Sequence, residues 1–159
     1  SMVKLINDGL LKNAGIVRIH VAGDFFNQKY FRAWCLVAAS NPNILFYAYT
    51  KSLRYWQDDE LLVPDNLVLT ASYGGREDWR IDEYNMRFAK VVYSEQEAHD
   101  LDLAIDHDDT HAAKPSLSNQ SFALMLHGTQ PKGSEAADAL KLLKKNNVRH
   151  SYSRKQATV

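Results

Sequence analysis

Cysteine is nearly absent: Cys35 is the only one in 159 residues. A lone thiol excludes an intramolecular disulfide, a cysteine-built zinc site and an iron–sulfur cluster held within this chain. Net charge is absent too. Nineteen basic side chains meet nineteen acidic ones, so no global field draws the chain to nucleic acid or to a membrane surface. No apolar run approaches the ~20 residues that a membrane helix needs, and no signal peptide opens the sequence. No repeat, low-complexity segment or linker divides it. A reducing cytoplasm is the compartment these absences fit. What is present is ordinary for a globular protein, with 45% hydrophobic and 24% charged residues. The length suits a single α/β domain with a real core, residues 1–159, its end from 149 read as a mobile basic tail. Ser1 ahead of Met2 reads as a cloning scar, so the natural chain can begin upstream.

The remaining signal is alternation. Residues 3–11 read as a short helix stopped by Asn13 and Gly15. Ile16 to Ala22 reads as a strand buried on both faces. Phe31, Trp34, Cys35, Ala38 and Ala39 recur at helical spacing after Asn27, a candidate N-cap. Ile44 to Tyr49 is a second strand and Asn66 to Ser72 a third, with a short helix at 51–59 between them. A helix at 77–86 follows the Tyr73-Gly74-Gly75 loop. Phe88 to Tyr93 is a fourth strand. Ser94 and Glu97 form a capping box for a helix at 95–101. Residues 102–115 read as polar and irregular, and Phe122 to Leu126 as a fifth strand. A last helix opens at Gly133-Ser134, with Ala136, Ala139, Leu140 and Leu143 as its apolar stripe and Lys141, Lys144 and Lys145 near its dipole's negative end. Strands alternating with helices predict a mainly parallel sheet of about five strands, as an open sheet or a partial (βα) barrel.

Four segments carry a family resemblance: Arg18-Ile-His-Val-Ala-Gly-Asp-Phe25, Tyr30 with Trp34, Asn41-Pro42, and Phe46-Tyr-Ala-Tyr-Thr-Lys51. In that order and spacing they resemble the phage "gene product 88" family, mainly over residues 17–72. The family resembles radical S-adenosylmethionine enzymes, whose cysteines hold an iron–sulfur cluster. The resemblance implies a phage protein of the infected bacterial cytoplasm, a parallel α/β core, and Gly23-Asp24 at a strand end near the cofactor's amino group. This chain departs from the pattern, since one cysteine cannot supply three thiolate ligands. Either the cluster-binding part lies upstream of Met2 or this member has lost the chemistry.

Ligands of parallel α/β units sit at the carboxyl ends of strands. His20, Gly23, Asp24, Tyr49, Thr50, Lys51 and Ser72 all fall in or just after predicted strands. Asp24 can accept from an amine or hydroxyl, Lys51 can hold a phosphate or carboxylate, and His20 can exchange a proton near neutral pH. His20 and Asp24 are thus the candidate catalytic pair. The plain alternative is that Asp24 caps the following helix and His20 is a core histidine bonded to a carbonyl. A second set, His127, Gly128, Gln130, Lys132, Gly133 and Ser134, lies between the fifth strand and the last helix. There, open backbone donors and a helix N-terminus favour an anion, although plain turn chemistry uses the same residues. The spacing is not that of a Walker loop. A third set, Asp106, His107, Asp108, Asp109 and His111, has the chemistry of divalent-metal ligands, crowded into one loop.

Three functions follow. The first is a binding pocket for a nucleotide, S-adenosylmethionine or another anion, with His20, Asp24, Lys51, His127 and Lys132 as its principal residues. The second is a metal-dependent phosphodiesterase or nuclease. The third is a non-catalytic module docking a host or phage protein through Tyr55, Trp56 and Trp79. Trp56, Tyr73 and Trp79 can stack on a base or sugar, or simply pack at an edge. The basic stretch 141–155 can meet phosphates, or simply be a solvated helix end and tail.

Overall fold

Asn27 illustrates how local chemistry sets the elements: its side chain accepts the Tyr30 N–H at 2.8 Å and starts the helix that follows. The computed structural model describes residues 1–58, 62–128 and 130–148. In chain order the elements are α1 (Met2–Gly9), β1 (Ile16–Arg18), α2 (Gln28–Ser40), β2 (Leu45–Thr50), α3 (Leu53–Trp56), β3 (Leu67–Ser72), α4 (Trp79–Glu83), β4 (Phe88–Val92), α5 (Glu95–Asp100), β5 (Ala104–Asp106), α6 (Thr110–Ala113), β6 (Phe122–Met125) and α7 (Glu135–Lys145), with a 3-10 turn at Pro115–Leu117. The fold class is α/β with parallel strand pairing. Asp59, Thr129 and the basic tail from 149 lie outside the described residues.

Two expectations need correction. The first strand ends at Arg18 rather than Ala22. Ile19 still donates to the Tyr47 carbonyl at 2.8 Å, but His20 then turns left-handed at φ 64° and ends the ladder. The stretch 102–115 is not all irregular. Ala104–Asp106 is a sixth strand, pairing in parallel with β6.

The chain divides into two compact units, residues 1–88 with 112–119, and residues 89–111 with 120 onward. In the first, β1, β2 and β3 lie in that order, with Val17 opposite Phe46 and Ala48 opposite Leu69. The strands' two-residue period turns Phe46, Ala48, Leu67 and Leu69 toward Phe31, Cys35 and Ala38 of α2, and Ile19 and Phe25 complete this core. Each large side chain sealed here contributes about 1.5–3 kcal/mol. The same period sends Tyr47, Tyr49, Thr70 and Ser72 to the other face. Asn66 latches the base of this unit: its amide nitrogen lies 2.9–3.1 Å from the carbonyls of Ala38, Asn41 and Ile44, tying the start of β3 to the end of α2 and the start of β2.

In the second unit β6 lies between β4 and β5. Its four residues are all buried. Ala123 and Met125 join Val92, Ala98, Leu140 and Leu143, so the α7 stripe meets the sheet as its spacing predicts. Ser94 caps α5 by accepting the Glu97 N–H at 3.1 Å. Glu97 returns to the amide of Tyr93, one residue before the cap, at 2.7 Å.

Candidate functional site

In the first unit the loops leaving β1, β2 and β3 are bound to each other by side chains. Asp24 does most of this. One carboxylate oxygen accepts the Phe25 N–H at 2.7 Å and the Thr50 hydroxyl at 2.6 Å, and the other accepts the Lys51 N–H at 2.7 Å. Thr50 in turn accepts the Ser52 N–H at 3.0 Å, and the Ser52 hydroxyl donates to the Phe25 carbonyl at 2.8 Å. Asp24 therefore joins the β1 exit to the β2 exit; Asn27 is the cap of α2.

The β3 exit is joined next. Gly74 and Gly75 donate their N–H groups to the two oxygens of Asp78, each at 2.9 Å. Gly74 has φ 97°, in the region open to glycine. Gly75 is required by closeness, since an added Cβ would stand 3.0 Å from Cβ of Lys51. The Lys51 ammonium reaches the Gly74 carbonyl at 3.4 Å, the long limit of a hydrogen bond. Among the described residues no carboxylate pairs with it. Glu77 closes the ring of contacts by accepting the Arg54 N–H at 3.2 Å and lying 3.6 Å from Nε of Arg80.

These ties leave a cleft of about 310 Å³ lined by Gly23, Asp24, Tyr49, Thr50, Lys51 and Ser72. Six of the seven residues of the first predicted set come together there. The seventh, His20, is not in the lining. Its Nε2 lies 2.9 Å from the Tyr30 hydroxyl, and its ring meets Phe25 edge-on at 4.9 Å. The expected carbonyl partner is replaced by a phenol. Burial holds the imidazole below its ordinary pKa, against the opposing pull of the Asp24 charge. Tyr49 has the Arg18 guanidinium 5.3 Å above its ring. A second hollow, about 240 Å³ at the start of β3, contains Trp56 but no residue of the three predicted sets.

The other two predicted sets belong to the second unit. At 127–134, Gly128 and Gly133 take φ 79° and 80° as turn residues. Gln130 donates to the His127 carbonyl at 3.0 Å, and Ser134 both caps α7 through Ala137 N–H and donates to the Pro131 carbonyl at 2.7 Å. Glu135 and Asp138 stand in the first turn of α7, where their negative charge already occupies the dipole's positive end. Lys132 is exposed beside this turn. Thr129 lies outside the described residues.

At 106–111, Asp106 is 2% exposed, and its oxygens accept the His111 N–H at 3.3 Å and approach His111 Nδ1 at 3.5 Å. Burial pushes its carboxyl above the usual range. Asp108 accepts from the Thr110 amide and hydroxyl at the start of α6, and these bonds lower its pKa. Asp109 is a turn residue at φ 62°. Among the described residues no three histidines, cysteines, aspartates or glutamates are grouped to hold a metal ion, His107 included.

Cys35 is buried in the first unit's core, and burial pushes its thiol up to about 11. One buried thiol does not fit an iron–sulfur cluster, and no step through one is available to this chain. Of the aromatics weighed for stacking or docking, Tyr73 packs edge-on against Phe88 at 4.9 Å, and Trp56 and Tyr55 pack against the core. Trp79 is 51% exposed. No helix among the described residues is long and apolar enough to cross a membrane.

The family model described as gene product 88 matches residues 1–146. The chain belongs to the gene product 88 family. Neither the curated proteins nor the solved structures contain a match to it. The match to the gene product 88 model includes the Gly23-Asp24 turn, the Tyr49-Thr50-Lys51 strand end and the Gly74-Gly75 loop, so every residue of the cleft lies within the family region.

Sequence reasoning missed the residues that hold the cleft open. Ser52, Glu77 and Asp78 carry no motif. The one available signal was Asp78 following Gly74-Gly75 by three residues, a spacing that lets a carboxylate fold back onto loop amides.

Proposed function

We propose that this gene product 88 protein is a phage accessory protein that binds a small anionic molecule in the cleft at the carboxyl ends of β1, β2 and β3. The reading rests on one observation: residues from three successive strand exits, Lys51 among them, line a single cleft. Parallel α/β folds place ligands at such exits. A lysine ammonium serves as a point charge for phosphate or carboxylate.

The reading is binding rather than proton transfer. Asp24 accepts three hydrogen bonds from its own chain and acts as a positioning residue. His20 is tied to Tyr30 outside the lining. The likeness to radical S-adenosylmethionine enzymes enters as a likeness of scaffold. S-adenosylmethionine stays within the class of ligands considered, as a small molecule bearing a carboxylate and an adenosyl group. The His127–Ser134 turn and the Asp106–His111 segment are left out of the proposed site, because their polar groups serve as caps and turns.

Calorimetric titration with inorganic phosphate, together with a thermal melt in its presence, tests this. At ten times the dissociation constant, binding to the folded state alone adds about 1.4 kcal/mol. Lys51→Met abolishes both the heat and the shift. An unchanged response in Lys51→Met, or no response in the parent, refutes the proposal.

A further inference from the structure

Trp79 is the least explained group of the loop and helix that follow β3. An indole 51% exposed gives up burial that a core position would supply. Yet it is not loose. The Arg80 guanidinium lies 4.4 Å from the ring centroid and covers one face. Arg80 is itself held, with Nη1 donating to Gln57 at 3.1 Å and Nε standing 3.6 Å from Glu77. The result is a fixed aromatic plate backed by a cation, an arrangement that suits stacking by a second π system on the other face.

This plate belongs to the same loop module as Lys51. Asp78, immediately before Trp79, holds the amides of Gly74 and Gly75, and those two glycines lie against the Lys51 side chain. The cleft, at about 310 Å³, is at the small end of the range for ligand pockets. It takes an anionic head group, and a larger ligand extends beyond it; the loop module that carries Trp79 is the one Asp78 and the two glycines hold against Lys51.

We infer that the ligand is a mononucleotide, its phosphate at Lys51 and its base stacked on the open face of Trp79. The inference rests on the cleft reading above and names its ligand class. Charge along residues 51–57 and 73–83, which follow β2 and β3, favours a single nucleotide over a strand. Lys51, Arg54, Arg76 and Arg80 are balanced by Glu77, Asp78, Asp82 and Glu83, whereas a polynucleotide is held by a track of uncompensated cations.

Calorimetry and tryptophan fluorescence on the full chain, with inorganic phosphate, ribose 5-phosphate and adenosine 5′-monophosphate, test it. Base–aromatic stacking strengthens binding by roughly 5- to 150-fold. Adenosine monophosphate therefore binds at least about fivefold tighter than ribose 5-phosphate and quenches indole emission. In Trp79→Leu its affinity falls to that of ribose 5-phosphate, whose own affinity does not change; the exposed position makes this variant safe for folding. If phosphate binds through Lys51 but adenosine monophosphate binds no tighter than ribose 5-phosphate, the nucleotide inference falls and the anion cleft stands. Equal affinity of Trp79→Leu and parent for adenosine monophosphate overturns it as well. Silence toward all three probes removes both readings. A single strand of about ten nucleotides binding more than about tenfold tighter than the monophosphate overturns the assignment in favour of nucleic acid.

Discussion

Replacing Asp24 separates a positioning carboxylate from a catalytic one. Its oxygens accept from Phe25 N–H, Thr50 hydroxyl and Lys51 N–H at 2.7, 2.6 and 2.7 Å. A hydrogen bond to a charged acceptor contributes about 1.5–3 kcal/mol net. Three of them do not add fully, and Asp24 is only partly buried, so Asp24→Ala destabilises by roughly 2–4 kcal/mol. Thr50, 1% exposed, is then left with a donor facing no acceptor, which places the loss toward the upper figure. Asp24→Asn keeps two acceptor contacts but turns an NH₂ toward one of the donors, for roughly 1–3 kcal/mol. Urea unfolding followed by circular dichroism reads both, and a thermal melt falls by roughly 4–16 °C for the alanine variant. Thr50→Val in the Asp24→Ala background costs less than in the parent, because the two share a bond. A residue kept for chemistry gives the opposite result: removing it leaves stability unchanged or raised. An unchanged urea midpoint for Asp24→Ala therefore refutes the positioning account.

Four further outcomes follow. His20 is held below 6.5 by burial, so its contribution is fully present above about pH 6.5 and is lost as pH falls through the lowered value; His20→Asn, which tolerates the left-handed backbone, flattens the stability profile between about pH 7 and 5, and parallel profiles would refute this. Cys35, pushed up to about 11, is about one-thousandth thiolate at pH 8 and escapes Ellman's reagent until denaturant is added; rapid stoichiometric labelling of the folded chain contradicts that. Asn66→Asp is nearly isosteric but sets a carboxylate against three carbonyls, costing about 3 kcal/mol or more at neutral pH and less below pH 4, measured by urea midpoints at both. Gly75→Ala forces its methyl onto the Lys51 stem, costs about 1–3 kcal/mol and weakens phosphate binding in the same preparation, whereas normal binding would separate the loop from the cleft.

The helices and most strands were legible because their signals are local. Asn27, Ser94 and Ser134 each cap a helix through an amide three residues on. The apolar period of α7 marks the face it buries, and that of α2 does so at Phe31, Cys35 and Ala38, whereas Ala39 is exposed. What failed was also local in form but decided elsewhere. Residues 16–22 read as one strand, yet Val21 is 87% exposed, because the left-handed turn at His20 leads the chain away from the sheet. A short strand such as Ala104–Asp106 has too few residues to show a period, and pairing with β6 makes it a strand. The cleft residues were found from their place after strands, a rule of topology. The bonds of Asp24 to Thr50 and Lys51 were not legible, because those partners lie 26 and 27 positions away.

That distance also argues for where function lies. In the first unit the side-chain bonds around the cleft span far along the chain: Asp24 to Lys51, Ser52 to Phe25, Tyr55 to Phe26, Arg54 to Glu77, Arg80 to Gln57. Each fixes one strand exit against another and carries an ordering entropy that a local cap avoids. In the second unit three groups that looked equally promising make short-range bonds: Asp108 to Thr110, Asp106 to His111 and Ser134 to Ala137. Those bonds finish helices and turns, which any sequence must do to fold. A network that locks three loops around an open cleft does more than folding requires, since the core beneath it is already closed by Phe25, Phe31, Phe46 and Leu69. Preorganised geometry lowers the ordering cost of binding. On the proposed reading the loops of the first unit serve that end, with Lys51 in the cleft lining and an aromatic plate on the same loop module.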